Sequence, residues 1–198
     1  MKRSTIALWI AVVAAPLSAL GQQAQLRVDS GHVRVTCPMT VGGSFEAKTS
    51  ALNGSLALAS SSSATYGGEL SVDLRTLDTG IELRDDHLRN EYLEVGKGEG
   101  FATAVLSDIS LGNVDPGSVQ GRAAFTGMLL LHGVKKPIAG QADIKRSAGA
   151  IRVDAGFPVK LADFGIAKPQ YLGVGVKNEV AVKVSLIVRS ESAQTSSR

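Results

Sequence analysis

Cysteine is nearly absent from this 198-residue sequence, in which Cys37 is the single one, so no internal disulfide can form. The fold must then be held together by its own apolar core. Cys37 shares the apolar phase of Val33, Val35 and Met39 in an alternating stretch. This pattern predicts a small buried hydrophobic side chain, because nothing nearby in the sequence would activate the thiol.

The sequence also lacks a long apolar run. The longest, Ile6 to Leu17, has 12 residues, whereas a bilayer span needs about 20. Positive residues precede this run and small residues follow it, so residues 1–21 have the pattern of a cleavable secretory signal peptide. We therefore expect a periplasmic or secreted protein without a membrane span.

Clusters of basic residues are missing as well. Removal of residues 1–21 takes away Lys2 and Arg3, which lowers the formal net charge from +3 to +1. No Lys/Arg cluster remains that would follow a phosphate backbone, so nucleic acid is not an expected partner. Residues 22–190 are expected to form one domain, since no linker, charge block or repeat divides them. Residues 191–198 have the composition of a disordered tail.

What the sequence does have is alternation of apolar and polar residues, which is typical of half-buried strands. The stripes run from His32 to Met39, Leu70 to Arg75, Phe101 to Ile109, Ala123 to Leu131, Ile151 to Leu161 and Val180 to Val188. Within the fourth stripe, Gly127 is predicted to be a bulge. Turn signals are found at Asn53-Gly54, Gly67-Gly68, Gly112-Asn113, Asp115-Pro116-Gly117 and Ser147-Ala148-Gly149.

These stripes predict an all-β fold of about eight strands. Such short connections require antiparallel pairing, in either a closed barrel or a sandwich, between which periodicity does not choose. The inward phases carry mostly Val, Leu, Ala and Thr. A barrel of this strand number is near the size at which side chains fill the lumen or leave room for one ligand. Small aliphatic walls favour the open lumen, which would hold an apolar guest.

One stretch, TGIELRDDHLRNEYLEV at residues 79–95, has helical spacing and an unusual density of charge. Thr79 and Glu82 match a capping box, which predicts a helix to about Arg89. Ile81 and Leu88 should share the face that packs down, with Arg84 and Asp85 between them. Glu82, Asp86 and Arg89 should point to solvent.

A buried charged pair needs partners. Arg84 and Asp85 are therefore expected to reach turn carbonyls and amides, as a structural clamp, or else the polar end of a ligand. The clamp is the favoured interpretation, because buried ion pairs commonly fix geometry without any function.

The same stretch resembles the signature of the YceI-like family, "S-x-D-T-G, R-D-x-H-L-R-S-x-x-F-F-D-V". LLLHGVKKPIAG, from Leu129 to Gly140, resembles the family's "L-T-I-H-G-V-T-K-P" segment. The opening strands with Gly43-Ser44-Phe45 and the closing VKLADFGIAKPQYLGVGVKNEVAVKV are similar too. The motif residues fall on Arg84, Asp85, His87, Leu88, His132, Gly133, Lys136 and Pro137. Departures are Tyr92-Leu93 in place of paired phenylalanines, Lys135 in place of threonine, and GKGEGFATAV without the usual proline.

The resemblance implies an extended, antiparallel, lipocalin-like barrel of about eight strands with one short capping helical segment. It also implies an exported protein that holds a long isoprenoid or similar amphiphilic lipid in the lumen, for storage, transport or sequestration. No other cofactor is expected, and a homodimer is left open. The candidate ligand-binding residues at lumen and mouth are Val33, Val35, Leu70, Val72, Leu74, Arg84, Asp85, Leu88, Phe101, Val105, Phe125, Leu129, Leu131, Phe157 and Phe164.

Two alternatives remain open from the residues themselves. The first is a non-catalytic stress-response or interaction module with a solidly packed barrel. The second is a metal-dependent periplasmic enzyme that uses His32, His87 and His132 with a carboxylate. We find no hydrolase, zinc-protease or phosphate-loop motif, and no two of these histidines have the spacing of a helix or hairpin metal site. Catalytic and metal residues are therefore not assigned.

Overall fold

The structure, a computed structural model, describes residues 25–60, 63–112, 119–147, 149–168, 170–171 and 174–191. The predicted signal peptide, the turn at Asp115-Pro116-Gly117 and the tail lie outside the described residues, apart from Glu191, which ends the last strand. The strands are β1 (Gln25–Pro38), β2 (Ser44–Thr49), β3 (Leu52–Ser60), β4 (Ser63–Asp73), β5 (Thr103–Gly112), β6 (Gly121–Leu131), β7 (Val134–Ser147), β8 (Ala150–Lys160), β9 (Gln170–Tyr171), β10 (Val174–Gly175) and β11 (Glu179–Glu191).

Eight of these strands form a closed antiparallel barrel. Its order is β1-β3-β4-β5-β6-β7-β8-β11, and β11 pairs back onto β1. Neighbours in the chain are therefore mostly neighbours in the sheet, as in up-and-down barrels. The predicted antiparallel barrel of about eight strands is confirmed. Strand β2, which pairs with the second half of β1, and the short β9–β10 pair were not predicted.

Two predicted turns were wrong, because Asn53-Gly54 and Gly67-Gly68 lie inside β3 and β4. Gly54 and Gly68 have positive φ. A Cβ atom on Gly54 would overlap the carbonyl oxygen of Glu69, and one on Gly68 would overlap that of Ser55. These glycines therefore allow a close approach of two strand backbones, which is another common role of glycine in a strand.

The predicted bulge at Gly127 was also wrong for β6, because the register between β6 and β7 runs unbroken through it. The β5–β6 register does break opposite Gly127, but the extra residue lies in β5. A Cβ atom there would lie 2.9 Å from Cδ1 of Leu106. Gly127 thus makes room for a side chain of the neighbouring strand. Of the remaining turn signals, Ser147 ends β7 and Ala150 begins β8, as predicted. The β6–β7 turn consists of His132 and Gly133, both with positive φ, as a two-residue type I′ hairpin requires.

The barrel has two different ends. At one end lie the long connection from β4 to β5, the His132-Gly133 turn and the connection from β8 to β11. The connection from β4 to β5 carries helix α1 (Glu82–His87), a π-helical turn (Leu88–Tyr92) that continues it, and helix α2 (Glu99–Ala102). Three 3₁₀ turns (Leu74–Thr76, Val95–Lys97 and Leu161–Phe164) complete this end. We call it the cap end, and the opposite end, where β7 meets β8, the hairpin end.

Candidate functional site

The barrel encloses an internal cavity of about 220 Å³. A void that holds one water needs about 10–15 Å³ by such a measure, so the lumen is an order of magnitude larger. It extends from Leu74 and Leu77 at the cap end to Leu26, Tyr66 and Arg146 at the hairpin end. The alternative of a solidly packed barrel is therefore wrong.

Thirty described residues line this cavity, and all but Tyr66 and Arg146 have hydrocarbon side chains. Nine of the predicted site residues are among them: Val33, Val35, Leu70, Val72, Leu74, Phe125, Leu129, Leu131 and Phe157. The stripes predicted for β8 and β11 supply further lining residues, from Ile151 to Val159 and from Val182 to Val188. Alternation thus located most of the wall, because successive side chains of a strand face opposite sides of the sheet.

The other six predicted residues lie outside the lining: Arg84, Asp85, Leu88, Phe101, Val105 and Phe164. Phe101 lies in helix α2 and not in a strand. In β5, Ala104 and Leu106 face the lumen, so the phase assigned to Val105 was inverted. The register of β5 against β6 shifts between Ser107 and Ser110, and Asp108 has a φ of 53°. This bulge brings Ile109 back to the lumen and explains why a single phase did not fit the strand.

Phe164 and Leu88 pack elsewhere at the cap end. Phe164 is buried in the 3₁₀ turn after β8, and Leu88 packs against the same core cluster from the π-helical turn. Ile81, predicted to pack down beside Leu88, is 54% exposed, and Leu83 is 66% exposed. The predicted capping box is absent as well, because Ile81 precedes the helix without a side-chain hydrogen bond.

The charged pair of helix α1 meets at Thr79. The carboxylate of Asp85 accepts hydrogen bonds from the Thr79 amide (2.8 Å) and hydroxyl (2.5 Å). Arg84 donates from Nε to that hydroxyl oxygen (2.9 Å) and from Nη2 to the Thr79 carbonyl (2.8 Å). The Arg84 guanidinium also lies 4.4 Å from the ring centroid of Phe45, in cation–π geometry. Both charges therefore have protein partners, as the clamp interpretation requires.

Electrostatics favour the ionised form of Asp85. Its burial raises the pKa, but the hydrogen bonds from Thr79 and the charge of Arg89 outweigh that effect, so the pKa lies below its usual value. Arg89, predicted to be solvated, instead donates to the Leu77 carbonyl from Nη2 (2.6 Å) and Nε (3.2 Å). Leu77 lines the cavity at the cap end, whereas Arg84, Asp85 and Arg89 do not. These charged residues therefore position the cap end of the lumen without entering it.

A second polar cluster closes the cap end around His132, whose side chain is 9% exposed. Its Nδ1 lies 3.0 Å from the Phe164 carbonyl oxygen, and its Nε2 lies 3.0 Å from Oε2 of Glu94. Both partners are acceptors, so both contacts are hydrogen bonds when each ring nitrogen carries a proton. The ammonium of Lys97, at 2.6 Å, and His132 hold the pKa of Glu94 below its usual value, against a smaller effect of burial.

The sequence reasoning missed Tyr66 and Arg146. Arg146 has the same phase as the buried Ala142 and Ile144 of β7, which was a usable signal. Tyr66 has the same phase as Leu70 and Val72 in β4, but the turn wrongly predicted at Gly67-Gly68 ended the stripe before it. The densely charged helix α1, which the sequence indicated as a candidate site, lies at the opposite end of the barrel.

Cys37 is buried, as predicted, and burial raises the pKa of its thiol to about 11, although Arg84 opposes the shift. Across the described ranges, no group of three or more His, Cys, Asp and Glu side chains is arranged to hold a metal ion. Within the same ranges, no helix is long and apolar enough to cross a membrane.

Fold and cavity together define an up-and-down, lipocalin-like barrel with an apolar lumen. The chain belongs to the YceI-like family, since the model of the YceI-like domain matches residues 22–188. No curated protein matches the chain.

Solved structures of low sequence identity share the fold. BcnA of Burkholderia cenocepacia has a TM-score of 0.63 and 13% identity, over 79% of this chain and 95% of that one. A polyisoprenoid-binding domain from Saccharophagus degradans, implicated in plant cell wall breakdown, has a TM-score of 0.63 and 18% identity, over 85% and 99%. A YceI protein of Campylobacter jejuni has a TM-score of 0.50 and 15% identity, over 97% and 100%.

Proposed function

We propose that this protein binds one long, single-chain amphiphile of isoprenoid type in its lumen, and that it stores, carries or sequesters this lipid without catalysing a reaction. The main observation in support of this proposal is the apolar cavity along the barrel. Family membership and the fold shared with a polyisoprenoid-binding domain support it. The signal-like pattern of residues 1–21 supports export as the setting.

The shape of the cavity favours a chain over a compact molecule. An eleven-residue strand such as β6, tilted as in small barrels, spans about 25–30 Å along the barrel axis. The volume of about 220 Å³ lies below the roughly 300–1,000 Å³ of typical ligand pockets. A cavity of that length and volume is narrow, so it suits one extended tail better than a ring system or a two-tailed lipid.

The chemistry of the wall explains how such a guest would be held. Each methylene removed from water contributes about 0.8 kcal/mol, so a long tail needs few polar contacts. Branched aliphatic walls also adapt to the methyl groups of a prenyl chain without leaving a polar atom unpaired. The binding energy would thus come mainly from the tail.

Native mass spectrometry of protein purified from its own host tests the proposal, together with titration of the delipidated protein with a prenyl lipid such as geranylgeraniol. We expect one bound lipid per barrel. The variant Ala155→Phe places a ring in the lumen, and Ala124→Phe, at an exposed position of β6, is the matched control. Ala155→Phe should weaken binding more than about tenfold through overpacking, while Ala124→Phe should bind normally.

A protein that is empty when isolated and takes up no prenyl lipid would contradict the proposal. So would an Ala155→Phe variant that folds and binds as tightly as the unsubstituted protein. N-terminal sequencing of the exported protein tests the processing separately, and an intact N-terminus would contradict cleavage near residue 21.

A further inference from the structure

Among the described residues, the polar part of the cavity wall lies at the hairpin end. Tyr66 lies near the start of β4 and Arg146 near the end of β7, and both strands have those termini at the hairpin end. Arg146 is exposed and Tyr66 is half-buried, while the Ala142 and Ile144 positions deeper in β7 are buried. A solvent-exposed guanidinium and a half-buried phenol therefore line this end of the cavity.

Arg146 has no ion-pair or hydrogen-bond partner within the described ranges, unlike its basic neighbours. Lys145 lies 3.7 Å from Asp143, Arg152 lies 3.1 Å from Asp154, and Arg189 lies 3.0 Å from Asp29. These pairs do not line the cavity. A guanidinium that lines an apolar cavity without a carboxylate is placed to bind an acceptor from outside the protein, and its planar donors suit phosphate and carboxylate groups.

The tyrosine is suited to the same task. Burial raises the pKa of Tyr66, although the positive charge of Arg146 opposes the shift, so the hydroxyl keeps its proton. Within the described part of the chain it has no hydrogen-bond partner, which leaves it available to donate to an anionic oxygen. Both side chains line the same end of the cavity, where together they offer one cation and one neutral donor.

We propose that Arg146 and Tyr66 form a head-group site for an acidic amphiphile, with a phosphate or carboxylate at the hairpin end and the tail directed towards the cap. This inference rests on the proposed function, since it assigns the head and the orientation of the same guest. The cap end is the wrong place for a head group, because the described lining there is hydrocarbon and includes Leu74, Leu77 and Leu131. The charges of Arg84 and Asp85 are already bound to Thr79.

Matched lipids that differ in the head alone test the site. Dissociation constants of geranylgeranyl monophosphate and geranylgeraniol are measured for the delipidated protein by calorimetry. We expect the phosphate to bind about 5- to 20-fold more tightly, the range for a charge-assisted contact that is partly solvent-exposed. The preference should decrease as salt is added, because the site is near water.

Substitutions test whether Arg146 and Tyr66 cause the preference for phosphate. Arg146→Gln should remove the preference for phosphate, because it should weaken binding of geranylgeranyl monophosphate far more than binding of geranylgeraniol. The matched control, Arg152→Gln, removes the same charge from the next strand outside the cavity and should keep the preference. Tyr66→Phe should reduce it by about threefold, as expected for one hydrogen bond to an anionic oxygen near water. Palmitate against hexadecanol, measured in the same way, shows whether a carboxylate is accepted as well as a phosphate.

The outcomes separate the two proposals. If both geranylgeranyl lipids bind equally, or if Arg152→Gln loses the preference as fully as Arg146→Gln, the head-group site is wrong and the lipid-binding function stands. If neither lipid binds, both proposals fail. A preference that survives Arg146→Gln also overturns the assignment.

Discussion

The two ends of the barrel handle charge in opposite ways. At the cap end, Arg84, Asp85 and His132 are surrounded by protein partners at hydrogen-bond distance. At the hairpin end, Arg146 lines the cavity without a described carboxylate beside it. A dense run of charges can therefore serve to stabilise the fold. A single cation on an apolar wall, without a described partner, indicates a ligand more directly.

The largest expected effect is that of Asp85→Ala. It leaves the Thr79 amide without its acceptor and removes the charge that faces Arg89, which should lower the free energy of unfolding by about 2–4 kcal/mol. Asp86→Ala, at the next and exposed position of α1, should change it by about 0.5 kcal/mol or less. Urea denaturation of both variants measures the free energy of unfolding. Equal effects would mean that the cap does not depend on the buried carboxylate.

His132→Asn should have the next largest effect on the free energy of unfolding. Asparagine tolerates the positive φ of this turn, so the variant removes the ring contacts to Glu94 and Phe164 while it keeps the backbone. We expect a loss of about 1–3 kcal/mol in denaturant unfolding. His87→Asn, at a half-exposed position on α1, serves as the control. A stable His132→Asn protein would show that this cluster does not fasten the cap.

Arg84→Ala distinguishes clamp from ligand contact. It removes two hydrogen bonds to Thr79 and the cation–π contact with Phe45, so the free energy of unfolding should fall by about 1–2 kcal/mol. The affinity of the folded protein for geranylgeranyl monophosphate should stay the same. Unchanged thermal stability together with lost lipid binding would instead assign Arg84 to the ligand.

Acid should destabilise the cap end. The pKa values of Asp85 and Glu94 are both lowered in the folded protein. Their contribution to stability is therefore fully present above the ordinary values of 3.8 and 4.5, and is lost as pH falls through the lower folded values. Unfolding measured between pH 6 and pH 3, at about one-unit steps, should show this decline, and Asp85→Asn should flatten it. An equally steep decline in Asp85→Asn would place the acid sensitivity elsewhere.

The smallest effect on stability is expected at the hairpin end. Arg146→Gln removes an exposed side chain that holds no described partner, so the free energy of unfolding should change by about 0.5 kcal/mol or less. Thermal melts of the delipidated protein check this. A loss comparable to that of Arg84→Ala would show that Arg146 supports the fold, which would weaken the contrast between the ends.

Strand periodicity predicted the barrel walls well, because burial on one face of a sheet imposes a period of two that survives in a single sequence. It did not identify the interruptions. The bulge at Asp108 and the irregularity near Gly68 depend on how neighbouring strands meet, which the sequence around them does not reveal. The phase of Val105 and the supposed turns at Gly54 and Gly68 were wrong for this reason.

The candidate site was predictable in part. The apolar lining followed from alternation, and the clamp role of Arg84 and Asp85 followed from the cost of burying charge. Their partner Thr79 was assigned to helix capping instead, because an N-cap and a tertiary acceptor have the same local sequence pattern. Arg146 was overlooked because a single arginine at a strand end usually lies in solvent, and only the assembled barrel shows that it lines the cavity.

The pairing of β1 with β11, which closes the barrel, has a consequence for how the protein folds. Closure pairs Gln25 with Glu191, so the first and last strands must find each other across the whole described chain. Contacts of such sequence separation form slowly, because loop-closure entropy opposes them until the rest of the sheet exists. A chain that stops before β11 would leave β1 and β8 as two unpaired edges, which are templates for aggregation. Folding is therefore expected to be completed only after the last strand has been made.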